Sequence, residues 1–304
     1  MKYKIGIDIG GTNIVIGMID ESGKLQDHEI IPTDLSISPF DMISKINDKL
    51  KTMIKRSKIN ENDIKGIGIG APGPLDSKKG MIICPPNLQT WKDIPIKKWI
   101  EDEFPYPVQL ENDANAATLA ERYFGAGKNI DNFIYMTIST GIGAGIFSEG
   151  KLLHGQKGNA GDIGHVVVDP SFGKCVCGQY GCLENIASGT AISREGSKIF
   201  GESLTTKEVF DLYKEGHSKI VPYIDRVLEI LGIACVNLIN TFDTERIVIG
   251  GGVSKVGALL FDTLQNYVNT YALTPHGRYT EVVPAQLELH SGVIGAALCV
   301  DVVE

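Results

Sequence analysis

Residues 4–25 read KIGIDIGGTNIVIGMIDESGKL, and residues 133–152 read FIYMTISTGIGAGIFSEGKL. Each stretch contains an apolar strand, a turn of glycine and small polar residues, a second apolar strand, and a turn that ends in Gly-Lys-Leu. The β-branched residues and the alternation on both sides of each glycine turn predict two β-hairpins. A duplication of this kind, about 130 residues apart, predicts a two-lobed α/β protein with a cleft between the lobes.

The segments outside the hairpins fit this plan. Apolar residues at helical spacing predict helices, and short apolar runs predict strands. The predicted helices are residues 39–56, 114–124, 219–242, 255–271 and 291–301, and the predicted strands are residues 64–70, 107–111 and 246–249.

Composition excludes several classes of protein. The chain has 304 residues, 43% apolar and 22% charged, which is typical of a globular protein with a large core or two lobes. Its net charge of −8 argues against a nucleic-acid surface, which would need a basic stripe. No apolar run approaches the roughly 20 residues that cross a membrane, and the N-terminus lacks the shape of a signal peptide. We therefore expect a cytoplasmic protein with no nucleic-acid or membrane partner.

A cluster of metal-binding residue types lies in residues 161–184, GDIGHVVVDPSFGKCVCGQYGCLE. It contains His165, Cys175, Cys177 and Cys182, which form the ligand set of a closed tetrahedral zinc site. Four protein ligands leave no open position, so the predicted zinc is structural. The segment alone leaves two interpretations open: a zinc-stapled loop without chemistry, or a loop that also anchors a polar substrate through its carboxylates.

Two glycine turns are candidate phosphate sites, one in each hairpin. Glycine lets backbone N–H groups approach phosphate oxygens, and a threonine hydroxyl adds a donor. An acidic residue at a strand end can hold magnesium through water. Either turn alone is also explained as an ordinary tight hairpin, and the pairing of the two is the more specific signal. The residues are Asp8, Gly10, Gly11 and Thr12 in the first turn, and Thr140, Gly141 and Gly143 in the second.

Two further glycine-containing segments are weaker candidates. Residues 250–252, Gly-Gly-Gly, follow a predicted buried strand, where a flat ligand such as a purine and ribose can lie on the backbone. Residues 71–76, APGPLD, form a rigid loop in which Gly73 can present its amide to a substrate hydroxyl. The alternative in both cases is an ordinary turn.

The stretch Glu111-Asn112-Asp113 separates a predicted strand from a predicted helix. An aspartate at such a junction is most often a helix N-cap. Three consecutive polar residues exceed what a cap needs, however. Phosphoryl transfer to an alcohol needs a carboxylate that accepts the hydroxyl proton and orients the oxygen, and Asp113 suits that role, with Asn112 holding a neighbouring hydroxyl.

Taken in order, DIGGT, APGP, ENDAN, STGIG, the His165–Glu184 cysteine segment and GGG resemble the ROK family of sugar kinases and repressors, over nearly the whole chain. The resemblance is strongest to the bacterial glucokinases of that family. It implies two RNase H-like lobes of the actin-like ATPase and sugar kinase fold. It also implies ATP with Mg²⁺, transfer of the γ-phosphate to the 6-hydroxyl of a hexose, and usually a homodimer.

The resemblance assigns a role to each matching position. It implies that Asp113 is the catalytic base and that Asp8 and the glycines of both turns contact phosphates. The implied sugar ligands are Gly73, Asn112, Asp113, Asp162, His165 and Glu184, the implied zinc ligands are His165, Cys175, Cys177 and Cys182, and the implied adenosine contacts are Gly251 and Gly252.

One position departs from the family pattern, because Asp162 stands where these kinases usually carry glutamate. Aspartate is shorter by one methylene, so a hydrogen bond to a hydroxyl near C1 or C2 of the sugar would lengthen or pass through a water. The departure concerns which sugar is used, not the class of reaction.

Several alternatives follow from the family. Within the kinases, an N-acetylmannosamine or N-acetylglucosamine kinase, a fructokinase or a mannokinase would use the same residues, and polyphosphate is an alternative donor. A sugar-responsive repressor is disfavoured, since it would carry a helix-turn-helix before the first strand, which here begins by residue 3 or 4. A silent sugar sensor would not need the carboxylate of Asp113.

The predicted lobes divide the chain near that aspartate. Residues 1–113 with 290–304 are predicted to form a small α/β lobe. Residues 114–289 are predicted to form a larger α/β lobe that carries the zinc site.

Overall fold

The computed structural model describes residues 1–287 and 290–301. The described residues form twelve strands and nine α-helices. The strands are β1 (Tyr3–Ile9), β2 (Asn13–Asp20), β3 (Leu25–Pro32), β4 (Ile64–Ala71), β5 (Leu75–Asp76), β6 (Met81–Ile82), β7 (Val108–Asn112), β8 (Phe133–Ile138), β9 (Ile142–Ser148), β10 (Lys151–Leu152), β11 (Arg246–Gly250) and β12 (Glu281–Pro284). The helices are α1 (Pro39–Ser57), α2 (Ile96–Glu101), α3 (Asp113–Phe124), α4 (Leu183–Ala187), α5 (Gly189–Phe200), α6 (Thr206–Lys214), α7 (Ile220–Phe242), α8 (Ala258–Tyr271) and α9 (Ser291–Leu298).

Two five-stranded sheets repeat one strand order. The first has the order β3-β2-β1-β4-β7, and the second has the order β10-β9-β8-β11-β12. In the first, β2 is antiparallel to β1 and β3, while β4 and β7 run parallel to β1. In the second, β9 is antiparallel to β8, while β11 and β12 run parallel to it. The repeat agrees with the duplication that the two hairpins predict and with the RNase H-like lobes that the family resemblance implies, so the predicted α/β fold class is confirmed.

The described chain divides into two compact units. One contains Met1–Lys128, Leu152–Ala160 and the C-terminal segment, and the other contains Asn129–Lys151 and the chain from Gly161 to the segment before α9. The first unit thus extends past residue 113, where the sequence analysis placed the boundary. The physical reason is that α3 packs along α9 in the same unit, where Gly295 lies against the carbonyl of Ala116.

Close backbone packing holds α9 in the first unit. A Cβ atom added at Gly6 of β1 would lie 2.0 Å from the carbonyl oxygen of Val293, and one added at Gly68 of β4 would lie 1.7 Å from that of Ala296. Only glycine permits a helix to approach two adjacent strands so closely. The apolar residues of α9 are thereby buried, and the beginning of α9 is held at the carboxyl end of β1.

The core of the second unit surrounds α7. This helix buries twelve of its residues, among them Ile224, Leu231 and Ile239, against β8, β11 and the neighbouring helices. Its Leu, Ile and Ala content predicted a long buried helix, and the observed bounds agree with the predicted 219–242 within one residue at the N-terminus.

Helix α8 begins later than predicted. The sequence analysis placed its start at residue 255, whereas residues Gly252–Val256 form a 3-10 turn and α8 begins at Ala258. Gly257 separates the two with a φ of +76°, a conformation that interrupts an α-helix. The predicted helix 291–301 is likewise α-helical only to Leu298, and Cys299–Asp301 continue as a 3-10 turn.

Among residues 1–287 and 290–301, no helix combines the length and apolar character that a membrane span requires.

Candidate functional site

Three carboxylates gather at the carboxyl ends of parallel strands in the first unit. Asp8 on β1 pairs in register with Gly70 on β4, and Gly70 pairs with Glu111 on β7. Asp113 follows directly as the first residue of α3. Because the carboxyl ends of parallel strands lie at the same edge of a sheet, side chains from distant parts of the sequence converge there. The sequence analysis named Asp8 and Asp113 for different motifs, and the sheet brings them to one edge.

The carboxylate of Asp8 has a raised pKa. Burial raises its pKa to about 7, and the negative charge of Asp113 adds to the shift. The beginning of α9 encloses the same carboxylate: a Cβ added at Gly292 would lie 2.1 Å from Asp8 Oδ2. Two neighbouring carboxylates of this kind favour a bound cation, which would neutralise them and lower the pKa of Asp8.

The N-terminus of α3 is capped by Asn112, not by Asp113. Asn112 Oδ1 accepts hydrogen bonds from the backbone N–H groups of Ala114, at 2.9 Å, and Asn115, at 3.3 Å. The carboxylate of Asp113 accepts one from Ala114 N–H at 2.8 Å, and the positive end of the helix favours its ionised form. Because capping uses the oxygen of the Asn112 amide, its Nδ2 group is the part that can donate to a ligand.

Asn112 Nδ2 points toward the loop that contains Gly73. A Cβ added at Gly73 would lie 3.5 Å from Asn112 Nδ2 and 3.3 Å from Asn159 Oδ1. Asn159 is itself fixed, because its amide donates to Leu75 O at 2.8 Å and accepts from Leu75 N–H at 3.1 Å. Gly73 therefore lies beside Asn112, the residue that precedes Asp113 in the chain, and the roles of these residues as sugar ligands stay predictions.

Glu111 lies buried behind this site, with 4% of its surface exposed. Its Oε1 accepts hydrogen bonds from Asn112 N–H at 2.8 Å and from Asn115 Nδ2 at 2.9 Å. Its Oε2 lies 2.9 Å from His154 Nε2. The sequence analysis quoted Glu111 without giving it a role and missed His154 and Asn159; the only sequence signal was the excess of polar residues at 111–113.

The first glycine turn joins β1 to β2. Gly10 N–H donates to Asn13 O at 2.9 Å, and the hydroxyl of Thr33 donates to Gly10 O at 2.7 Å. Gly11 lies beside Asn87, which a Cβ at Gly11 would approach to 3.3 Å. Thr12 is exposed. Thr33 and Asn87 thus contact the turn, while Thr12 remains exposed. An exposed glycine turn of this kind suits a phosphate-binding loop.

The second glycine turn, between β8 and β9, is held by a carboxylate. Glu184 Oε2 accepts a hydrogen bond from Ile142 N–H at 2.9 Å, and a Cβ at Gly141 would lie 2.4 Å from the same oxygen. Glu184 lies in the first turn of α4. The glycine at position 141 is therefore needed for this close approach, which holds Glu184 against the backbone of the turn at residues 141 and 142.

The glycines after β11 lie against the same turn. β11 pairs with β8, with Gly250 opposite Thr137. Gly251 has a φ of +86°, and a Cβ there would lie 2.4 Å from Ile138 O. A Cβ at Gly252 would meet only Ser139 Oγ, at 3.9 Å. Gly252 therefore has an open side, and its role as an adenosine contact stays a prediction.

The segment before His165 lies flat on β9. A Cβ at Gly161 would lie 2.0 Å from Ala144 O, and one at Gly164 would lie 2.2 Å from Ile142 O. These glycines place Asp162 on the same side of the unit as Glu184. Loss of solvation and then the charge of Glu184 raise the pKa of Asp162, while His165 lowers it. The three predicted sugar ligands of this unit are thus close enough to interact electrostatically.

The predicted metal ligands come together in the structure. The candidate ligand atoms of His165, Cys175, Cys177 and Cys182 all lie within 4.8 Å of one another. Cys175 Sγ lies 3.6 Å from His165 Nδ1, and Cys177 Sγ lies 3.5 Å from Cys182 Sγ. Tetrahedral zinc with bonds of about 2.3 Å to sulfur places its ligand atoms about 3.5–3.8 Å apart. The donor set and its spacing fit a structural zinc ion.

The thiols of this cluster titrate differently without an ion. Burial raises the pKa of Cys182 to about 12, and its neighbouring thiols add to the shift. A hydrogen bond from the Gln179 backbone, together with the neighbouring thiols and His165, lowers the pKa of Cys177 to about 7. A bound divalent cation would deprotonate all three thiols, because thiolate is the form that ligates metal.

Comparison with known proteins identifies the family. The ROK family model matches residues 4–302, which is nearly the whole chain. The chain therefore belongs to the ROK family, and the resemblance found in the sequence is confirmed.

Three similar proteins are informative. The chain is 37% identical to the glucokinase of Halalkalibacterium halodurans, over 97% of this chain and 93% of that protein. It is 36% identical to the glucokinase of Thermotoga maritima, over 96% and 95%. The crystal structure of a ROK family glucokinase from Streptomyces griseus, in complex with glucose and AMPPNP, matches with a TM-score of 0.79 and 31% identity, over 97% of this chain and 98% of that one.

Proposed function

We propose that this protein is an ATP-dependent hexose kinase that transfers the γ-phosphate of ATP to the 6-hydroxyl of a sugar, and that the sugar is glucose. The observation that carries the proposal is the arrangement in the first unit. Asp113 lies at the beginning of α3, beside the Nδ2 group of Asn112 and the Gly73 loop, at the same sheet edge as Asp8. The glucokinase relatives, similar over nearly their full length, support the same activity.

Phosphoryl transfer to a hydroxyl requires few side-chain groups. Asp113 would accept the proton of the attacking hydroxyl and orient its oxygen. Its position at a helix N-terminus keeps it ionised, which makes it a weak base, so its main contribution is orientation until the proton leaves. Asn112 Nδ2 and the backbone at Gly73 would hold a neighbouring hydroxyl, since a Cβ at Gly73 would lie 3.5 Å from Asn112 Nδ2.

Asp8 would hold Mg²⁺ through water, and the glycine turns would hold the phosphates of ATP. Mg²⁺ supplies neutralisation of the phosphate charge during transfer. The raised pKa of Asp8 supports this assignment, because the paired carboxylates are poorly compensated by the protein alone. In the second unit, the open face of Gly252 beside the 139–143 turn supports an adenosine contact.

The proposed zinc is structural, and it would fix the loop that carries His165. His165 uses Nδ1 toward Cys175, so its Nε2 is the nitrogen that can meet a sugar hydroxyl. Asp162 and Glu184 would complete this set of sugar ligands.

A second candidate function differs from the first only in the sugar substrate. Asp162 stands where the family kinases usually have glutamate, so an N-acetylhexosamine, mannose or fructose kinase would use the same reaction with another preference. We further propose that the enzyme is cytoplasmic and forms a homodimer, as family members usually do; size-exclusion chromatography with light scattering tests the dimer.

The proposal is tested by identifying the product. The protein is incubated with glucose and Mg-ATP, and glucose 6-phosphate is measured with a dehydrogenase specific for it, with sugar-free and ATP-free controls. Glucose 6-phosphate formed in step with ADP supports the proposal. ADP formed without a phosphorylated sugar, or no ADP at all, contradicts it.

A further inference from the structure

The segment 152–160 is an exception in the chain. It belongs to the first unit, although the residues on both sides of it, Lys151 and Gly161, belong to the second. Neither the glycine turns nor the cysteine cluster includes it. Its own contacts with other residues of the first unit must therefore hold it there.

Two of its attachments lie at the loop that contains Gly73. Asn159 exchanges two hydrogen bonds with the backbone of Leu75, and Ser77 N–H donates to Lys157 O at 3.1 Å. Gly158, with a φ of +89°, lies against Ser77, whose Oγ would be 2.5 Å from an added Cβ. These contacts close the segment over the loop and fix the position of His154.

The third attachment is a contact between His154 and a buried carboxylate of the same unit. His154 Nε2 lies 2.9 Å from Glu111 Oε2, and the two side chains expose 17% and 6% of their surface. The other oxygen of Glu111 already accepts two hydrogen bonds, from Asn112 N–H and from the Asn115 amide. His154 Nε2 thus lies against the carboxylate oxygen that the beginning of α3 does not use.

We propose that His154 is a positioning residue for the phosphoryl-transfer site: it holds Glu111 in the rotamer that fixes Asn112 and Asp113. The inference rests on the proposed kinase function and adds to it a residue outside the sugar and phosphate motifs. His154 touches no reacting atom in this account and acts only through Glu111.

The carboxylate of Glu111 is buried, with 4% of the residue exposed. If Oε2 lost the neighbouring imidazole, the carboxylate would rotate toward another partner or admit water, because a buried carboxylate needs polar partners. Either movement withdraws Oε1 from Asn112 N–H and Asn115 Nδ2. The backbone at the strand-to-helix junction would then lose two restraints directly beside Asp113. Displacement of a reacting group by about 1 Å costs on the order of 100-fold in rate, so a smaller displacement produces a roughly tenfold loss.

Four variants test this. His154→Ala removes the contact with Glu111 Oε2, His154→Gln keeps an N–H at about the position of Nε2, and His154→Asn carries an amide that is too short to reach Glu111. Lys157→Ala is the control in the same segment, since its side chain is exposed and only its backbone oxygen is used. The kcat and the KM values for glucose and ATP are measured well below the unfolding temperature of each variant.

We expect kcat to fall roughly tenfold in His154→Ala and His154→Asn with the KM for ATP unchanged, and to recover to within about threefold in His154→Gln. Lys157→Ala should behave as the wild type. A folded His154→Ala protein with wild-type kcat would overturn the inference and leave His154 as a structural tether. An equal loss in the Gln, Asn and Ala variants would also overturn it. If His154→Ala does not fold, the Gln and Asn pair decides.

Hydrogen exchange separates this inference from the proposed function. Exchange of the backbone amides of residues 112–115 should accelerate in His154→Ala and not in Lys157→Ala, whether or not the protein phosphorylates sugars. A wild type that turns over no sugar, with this exchange difference present, would refute the kinase and retain the positioning role of His154. Unchanged exchange at these amides would refute the positioning role itself.

Discussion

The hairpin β1–β2 and the hairpin β8–β9 share a backbone plan but not a chemistry. In the first, Asp8 pairs with Val15, one step before the turn; in the second, Thr137 pairs with Gly143 at the equivalent step. One unit thus carries a carboxylate on the strand itself, where the other carries a hydroxyl. The sheet order is repeated in full while the charged group is not.

The second hairpin obtains its carboxylate from elsewhere. Glu184, on α4, binds the backbone N–H of Ile142, and the loop that leads to α4 contains the cysteine cluster. The first hairpin relies instead on buried strand ends and on α9, whose Gly292 encloses Asp8. The first unit thus positions its acids mainly through sheet geometry and the packing of α9, whereas the second positions Glu184 after a loop that carries the proposed zinc site.

The largest expected effect concerns that metal. Cys182→Ser should yield protein without bound zinc and lower the free energy of unfolding by about 4 kcal/mol, the stabilisation from a ligand present at about 1,000 times its dissociation constant. The measurements are metal content by mass spectrometry and unfolding in urea. Cys84→Ser is the matched control, because Cys84 is exposed and lies outside the cluster.

A Cys182→Ser protein that keeps one equivalent of zinc, or that unfolds like the wild type, would contradict the proposed difference between the two units. It would show that the loop of the second unit is held without the metal.

The next effect isolates the acid of the first unit. Asp113→Asn should lower kcat by a factor on the order of 100 or more, about 3 kcal/mol, with a modest change in the KM for sugar, because the amide keeps the shape but cannot accept the proton. Glu184→Gln makes the same chemical change in the second unit and should raise the KM for sugar more than it lowers kcat, since the proposed role of Glu184 is to hold the sugar beside the backbone of Ile142. Steady-state kinetics with glucose measure both.

If Glu184→Gln lowered kcat as much as Asp113→Asn, the division of roles between the units would be wrong. Near-normal turnover in Asp113→Asn would remove its assignment as the base.

The third effect depends on pH and concerns Asp8. Its pKa is raised from 3.8 to about 7 in the folded protein, so the folded state binds an extra proton between these values and the free energy of unfolding falls as pH rises from about 4 to 7. Asp8→Asn removes the ionisable carboxylate, so the free energy of unfolding of the variant should not show this fall with pH. The variant should match the wild type near pH 4 and be more stable at pH 8 in the absence of Mg²⁺, by at most roughly 4 kcal/mol, the free energy that corresponds to a pKa raised from 3.8 to about 7.

Thermal unfolding at several pH values measures this, with Asp262→Asn as an exposed control. Added Mg²⁺ at pH 8 should reduce the difference in stability between Asp8→Asn and the wild type, because it stabilises the ionised wild type. A difference that does not change with pH would contradict the account of the Asp8 carboxylate.

The smallest effect concerns sugar preference in the second unit. Asp162→Glu restores the longer side chain that the family kinases usually carry, and it should lower the KM for glucose several-fold, about 1 kcal/mol, by shortening a stretched hydrogen bond. The KM for ATP should not change. An unchanged KM for glucose, with turnover also unchanged, would show that residue 162 does not contact the sugar.

The sequence predicted most of the fold, because the duplicated hairpins and the buried helix α7 carry their patterns locally. It also predicted the cysteine cluster, whose four residues lie within residues 165–182. It did not predict that α3 belongs to the first unit, since that depends on backbone contacts between Gly295 and Ala116, far apart in the chain. The His154–Glu111 pair was missed for the same reason: neither residue has a local pattern, and only the folded segment 152–160 brings them together. Most of the site roles remain predictions that the variants above test.

One measurement tests the central claim most directly: ADP release from Mg-ATP by the wild-type protein with glucose, mannose, fructose, glucosamine, N-acetylglucosamine and N-acetylmannosamine, against a sugar-free control. The account predicts turnover with a strong preference for glucose, and low activity without sugar. A preference for another sugar would keep the kinase and place the difference at Asp162. No turnover with any of the six, in protein that binds zinc and ATP, would contradict the claim that the carboxylates of the first unit catalyse phosphoryl transfer to a hexose.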